Sequence, residues 1–383
     1  MGAEQAGEDG RGLWKRDQLM ISGMLPYFLM MALPAGFALT GTTRPRVLLL
    51  FVAVVYVLMI GFRFQVGMDW NNYLGIYQLR HDWPVDRILS KAEPGFGLLM
   101  WLAGKLGGGL VFVNAVAGLV FCMGFFAVAI RCREPMLAIL VATPLLVVSV
   151  AMSGTRQAMA CGIIFYLFAT WERRGLLQRV ALVLLAMLFH FSALFVMIFV
   201  ALGTKASNLV RFASAAVICG AVFVMVAGSD PVEKYSRLYV SGQHAQTAQG
   251  AIIQVGVLTA AGLIYFIVRK QWIAIFGESR LHDNLAAASL LALPSIWISS
   301  VGAYRFALYF WPIGMVVFAG LPALIRSPFA RAFYRIACVV GSFAILLGWL
   351  VLANTSFAWL PYENWLLNRD APLYQHNLHG TER

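Results

Sequence analysis

Three arginines, two carboxylates and a histidine interrupt an otherwise apolar chain where it turns. Arg63 and Asp69 stand in GFRFQVGMDWNNY (61–73), Glu93 in KAEPGFGLL (91–99), Arg156 in MSGTRQAMACG (152–162), His190 in LLAMLFHFSALF (184–195) and Arg305 in SVGAYRFALYFWP (300–312). Arginines suit a diphosphate, which they grip through charge-assisted bidentate hydrogen bonds. A carboxylate or an imidazole nearby would serve as base for an attacking hydroxyl. Asp69 and Tyr73 are four apart, so a helix beginning near Met68 puts them on one face, and Tyr309 follows Arg305 by about one turn.

Each signal has a plainer reading. Arg63 and Arg305 end apolar runs, where arginine and aromatic side chains snorkel to the interface. Glu93 precedes Pro94, and an acid is favoured just ahead of a helix by its dipole. A lone histidine such as His190 is often a satisfied core residue. Arg156 is the sharpest case, because it falls in the first turn of an apolar run, where the dipole disfavours a cation unless an anion is close. Lys234, Tyr235, Arg237 and Tyr239 read as one solvated loop face.

The elements that must position these groups are membrane helices. Of 383 residues, 61% are hydrophobic and 12% charged, and the mean hydropathy is +0.77, which is the composition of a polytopic membrane protein. We expect an all-α, single integral-membrane domain over 1–383, with a polar N-terminal tail (1–19) that is retained rather than cleaved. Runs of about spanning length lie near 20–41, 46–62, 109–130, 136–151, 156–171, 212–228, 251–268, 284–302, 304–325 and 336–353, about 10 spans. Two further pieces, 95–107 and 180–202, are expected to be re-entrant or interfacial, the second as two half-helices meeting near His190.

Topology follows from lysine and arginine in short loops. With the N-terminus outside, the loops at 42–46, 131–134, 172–179, 205–211, 269–283 and 326–335 fall inside and hold 15 of the 29 Lys and Arg but 4 of the 17 Asp and Glu. That assignment requires 95–107 and 180–202 each to enter and leave on one side. It leaves outside the loops 63–95 and 229–250 together with every candidate residue, and it puts both termini outside. The net charge of +12 is dispersed in short clusters, which argues against nucleic acid as a partner. Five scattered cysteines lack metal or redox spacing, no metal site is expected, and GKLGGG (104–109) lacks the spacing of a phosphate loop. No cofactor is implied, since an activated lipid-linked diphosphate needs none.

The order RFQVGMDWNNY, EPGFGLL, TRQAMACGI, LFHFSALF, YRFALYF and WLPYENW resembles the Wzy-type polysaccharide polymerases, in particular the EpsG-like branch, over nearly the whole chain. The resemblance implies a GT-C-like glycosyltransferase of the bacterial inner membrane. It would move a growing glycan from undecaprenyl diphosphate to a fresh lipid-linked repeat unit at the periplasmic face, without a metal. Undecaprenyl-diphosphate-linked glycan and membrane lipid would be its partners, with a flippase and a chain-length regulator alongside. On the matching motifs, Arg63 and Arg156 would hold the donor diphosphate with help from Arg305, and Asp69, Glu93 and His190 are the candidates for acceptor activation; Tyr73 and Tyr309 are read as substrate contacts. A transporter or flippase of lipid-linked oligosaccharide, a glycan ligase and a membrane acyltransferase are the rival readings.

Overall fold

The computed structural model describes residues 22–43, 46–204, 207–227, 249–297 and 299–368. The N-terminal tail, the four loop residues Lys234, Tyr235, Arg237 and Tyr239, and the end of the chain lie outside the described residues. Apart from one two-residue ribbon, the described regular structure is helical, as the composition requires. In chain order the helices are α1 (Ser22–Thr40), α2 (Arg46–Gly61), α3 (Trp70–Arg80), α4 (Val85–Leu89), α5 (Pro94–Lys105), α6 (Gly109–Ala129), α7 (Pro135–Ala142), α8 (Thr155–Ala169) and α9 (Leu176–Met187). They continue with α10 (Met197–Leu202), α11 (Asn208–Ala227), α12 (Gln249–Ile267), α13 (Arg269–Phe276), α14 (Arg280–Ser295), α15 (Ser300–Ala307), α16 (Trp311–Gly320) and α17 (Pro328–Leu352).

Four described helical stretches are long and apolar enough to cross a membrane: Ser22–Thr40, Gly109–Ala129, Ser300–Ala323 and Pro328–Leu352. Counting α12 and α13 as one span bent by 78° makes five. Several other apolar runs fold into helices of 10–17 residues, among them Arg46–Gly61 and Pro135–Ala151. At 1.5 Å per residue these reach at most roughly 25 Å, against a hydrocarbon core of about 30 Å. The boundary expected near residue 303 falls earlier. Pro294 sits in the last turn of α14, and Ser299 opens α15 by accepting a hydrogen bond from the Gly302 amide.

The tightest seam joins α6 and α8. A side chain on Gly124 would run into the Gly162 carbonyl, so the two backbones meet as small-residue packing allows. The chain reaches α8 through a π-helical stretch, Thr143–Ala151, with Pro144 in its first turn, and then the turn Met152–Gly154. A separate apolar cluster of Phe64, Trp70, Tyr73, Leu74, Phe96, Met100 and the first turns of α6 fastens the short helices α3 and α5 to the amino end of α6.

The stretch 180–202 reverses at His190, as its histidine-centred pattern suggests. α9 ends at Met187, His190 is extended (φ −151°, ψ 119°), and a 3-10 turn over Phe191–Val196 leads back into α10. Near the base of α9, Arg179 donates to the carbonyls of both Trp171 (2.9 Å) and Gly203 (3.4 Å), so the two limbs start and finish at one level. The basic loops also share one end of the bundle: Thr43, Arg46, Arg131, Arg133, Arg173 and Arg331 border a single cavity.

Candidate active site

The site forms at the other end, where α2 finishes and α6 and α8 begin. Its first wall is the loop 62–69, wedged under the Met152–Gly154 turn. Gly67 has φ +101°, its amide donates to Ala358 (2.8 Å), and a side chain there would strike the Met152 carbonyl, so only glycine fits without strain. The segment 363–364 then pairs with 63–64 as an antiparallel ribbon with Arg63 opposite Asn364. This explains why the distant WLPYENW motif accompanies the RF pair: it clamps Arg63 in place.

Arg63 is only 2% exposed, and its guanidinium donates to the Ile60 carbonyl (2.6 Å), Thr155 Oγ1 (2.8 Å) and Asn114 Oδ1 (3.2 Å). Thr155 in turn donates to Asn114 (3.0 Å). Burial draws the Arg63 guanidinium down to about 10, against support from Tyr73, Tyr362, Tyr27 and Asp69. Arg63 thus ties the ends of three helices together from inside the wall, through neutral acceptors.

Glu93 is the centre of the polar cluster. It takes a left-handed backbone (φ 58°, ψ 54°), unusual for a side chain of its kind, and makes no capping bond to α5. Its carboxylate turns instead towards three donors: Arg156 Nη1 on Oε2 (2.5 Å), and His190 Nδ1 (2.7 Å) and the Phe191 amide (3.1 Å) on Oε1. Burial alone would raise its carboxyl, but the hydrogen bond from His190 and the charge of Arg156 prevail and hold it at about 2. Glu93 is therefore a standing anion, too weak a base to take a proton. It also supplies the anion that a cation in the first turn of α8 requires.

Arg156 stays one-third exposed, while Glu93 and His190 are nearly buried. The Arg156 guanidinium also lies 5.6 Å from the ring of Tyr73 and 5.9 Å from the ring of Phe96. With Nδ1 engaged by Glu93, the His190 Nε2 is buried without a hydrogen-bond partner. The hairpin apex is fixed by Ser192, whose hydroxyl meets that of the fully buried Tyr309 (2.9 Å). Tyr309 is thereby placed as a support for the apex.

Asp69 sits at the N-cap position of α3 but makes no side-chain capping bond, and the Tyr73 amide donates to its carbonyl (2.9 Å). Burial raises its carboxyl, opposed by the charges of Arg156, Arg305, Arg63 and His190. These four residues come from separate segments of the chain, and all lie near enough to Asp69 to act on its carboxyl. Arg305 is anchored there by its carbonyl, which accepts from Gln157 Nε2 (3.0 Å).

Four contributors were not singled out in the sequence. Arg80 and Lys91 border a cavity of about 30 Å³ beside Glu93 and Arg156, enough for one water molecule, and add two cations to the site. Nothing in their spacing separates them from ordinary loop charges. Asn114 and Thr155 hold Arg63; Asn114 was detectable as a lone amide inside an apolar run, where polar groups need a reason. Among the described residues, no three His, Cys, Asp or Glu side chains stand together as a metal site.

A helical membrane protein with a partly buried arginine–glutamate–histidine cluster beneath a layer of short helices, all at one end of the bundle, is the class this geometry defines. The chain belongs to the EpsG family, an exopolysaccharide and Wzy-like polymerase family, whose model matches residues 46–364. That stretch runs from the first residue of α2 to the last residue of the ribbon that clamps Arg63. No curated protein and no solved structure matches the chain.

Proposed function

We propose that this protein is a metal-independent glycosyltransferase that joins oligosaccharide repeat units carried on undecaprenyl diphosphate, at the periplasmic face of the bacterial inner membrane. Membership of the EpsG family supports the reaction class. The single observation that carries the chemistry is the His190 ring, held through Nδ1 by an ionised Glu93 with its Nε2 left unpartnered beside Arg156.

In this reading the acceptor hydroxyl oxygen attacks the anomeric carbon of the donor glycan. The new glycosidic bond forms as the bond from that carbon to the diphosphate oxygen breaks, and the electron pair leaves with the diphosphate. The hydroxyl proton passes to His190 Nε2, and Glu93 steadies the imidazolium that results. Arg156, with Arg80, Lys91 and Arg305 around it, stabilises the charge growing on the leaving group. Glu93 is a positioning residue, and Asp69 is placed to orient the acceptor hydroxyl. Tyr73 helps by fixing the Arg156 fork, and Arg63 by holding the walls together.

The concentration of these groups at one end favours chemistry there over transport, since a flippase would need polar contacts along a path between leaflets. The experiment is analysis of glycan chain length in cells carrying Arg156→Ala. Polymer should give way to single repeat units while the protein remains inserted at normal abundance. Polymer of normal length would remove Arg156 from the reaction, and loss of even single units from the surface would indicate a transporter.

A further inference from the structure

The basic end of the bundle holds a second, larger space that the reaction above does not use. It is an open cavity of about 1630 Å³, bordered by the start of α2, the ends of α6, α8 and α13 and the start of α14. It is remote from the candidate active site: α8 alone separates Arg156 from Phe168, which lines this cavity, by about 18 Å of helix.

Five arginines line it, Arg46, Arg131, Arg133, Arg173 and Arg331, against two glutamates, Glu172 and Glu278, a surplus of three positive charges. None of the five enters an ion pair among the described residues. Positive-inside topology accounts for arginine at this end, but it does not require that five face one hollow. Burial lowers the Arg131 guanidinium and the charge of Arg173 lowers it further, so the two repel each other.

The rest of the lining says what kind of anion fits. Leu50, Ile130 and Ile275 line the cavity and are also 68%, 60% and 51% exposed, so an apolar wall continues from the hollow to the outside of the bundle. A soluble anion would gain nothing from that wall, whereas an amphiphile would lay its chains along it. We propose that this cavity binds the phosphate headgroup of an anionic membrane lipid, with the arginines on the phosphate oxygens and the acyl chains leaving past Leu50 and Ile275.

The test is binding of defined lipids to the full chain, purified in a neutral maltoside detergent and followed by native mass spectrometry. Phosphatidylglycerol should be retained at least tenfold more tightly than phosphatidylcholine, and that preference should vanish in the Arg131→Gln/Arg173→Gln double variant. The thermal unfolding of the lipid-free protein should be unchanged by the double substitution. Arg46→Gln/Arg133→Gln, at two exposed positions, gives a second variant should the first fail to fold. Equal retention of the two lipids, or an undiminished preference in a folded variant, would overturn the site. Inorganic pyrophosphate binding through the same arginines as tightly as phosphatidylglycerol would overturn the assignment to a lipid. Because the readout is binding, it stands apart from the outcome for Arg156.

Discussion

Replacing Glu93 by glutamine should destabilise the protein at neutral pH and leave it much less sensitive to acid. The wild-type carboxyl is held at about 2 against an ordinary 4.5, and at about 1.4 kcal/mol per pH unit that difference corresponds to about 3 kcal/mol. The sign is fixed by the direction. A carboxyl held low stabilises the fold at any pH above its unfolded value near 4.5, and that contribution fades as pH drops towards 2. Glutamine occupies the same space and still offers one carbonyl to His190 or Phe191, but it strands the Arg156 charge. Breaking a fully buried pair costs about 3–5 kcal/mol. With Arg156 one-third exposed, water recovers part of this, and about 2–3 kcal/mol remains.

The assay is denaturant unfolding of wild type and Glu93→Gln in detergent at pH 7 and at pH 3 and below. Wild type should exceed the variant by about 2–3 kcal/mol at pH 7, and the gap should shrink steadily below pH 4.5. The comparison isolates Glu93, because the opposite contribution of Asp69, whose carboxyl is raised by burial, is common to both proteins. A gap that is absent at pH 7, or that persists undiminished as pH falls, would refute the ion-pair account of this cluster.

His190→Gln should leave the fold intact, since the amide can still donate to Glu93, while polymerisation falls by about 10²–10⁴. Full activity would reduce His190 to a structural hydrogen bond. Gly67→Ala should destabilise the protein by about 2–4 kcal/mol, measured by thermal unfolding, because its positive φ and the Met152 carbonyl both resist a side chain. An unchanged melting temperature would mean that the loop 62–69 moves aside freely.

The sequence made Arg156 legible because a cation in the first turn of a helix is an electrostatic contradiction, and the fold resolves it with Glu93. It made His190 legible for the same kind of reason, an imidazole in an apolar run, and the reversal at that residue followed from counting positive loops. The plainer reading of Glu93, a capping acid, fails. A capping acid belongs on the amides of its own helix, yet the left-handed backbone swings this carboxylate away from α5 and onto two other segments. Such a turn has no signature in Glu-Pro. Arg63 misled in the opposite direction, since at the end of an apolar run it looks like an exposed anchor and is in fact almost wholly buried. One span boundary was placed too late, near 303, because hydropathy does not register the break before Ser300, which backbone geometry alone imposes.

Electrostatic balance also explains why the layer of short helices exists. Arg156 and Glu93 cancel, so the pair by itself offers a diphosphate little net attraction. Arg80 and Lys91 arrive only with α3 and the turn before α5, and Arg305 only with α15. The apolar cluster from Phe64 to Phe96 therefore does more than fill space, because fastening α3 and α5 to α6 brings the surplus cations to the pair. With Glu93 occupied in aligning Arg156 and His190, the charge left to meet an incoming diphosphate belongs to residues that the layer carries. Preference for that leaving group is then set by how α3 and α5 dock, whereas the proton transfer is set by the hairpin apex. The two properties should respond separately to substitution, the first at Arg80 and Lys91 and the second at His190.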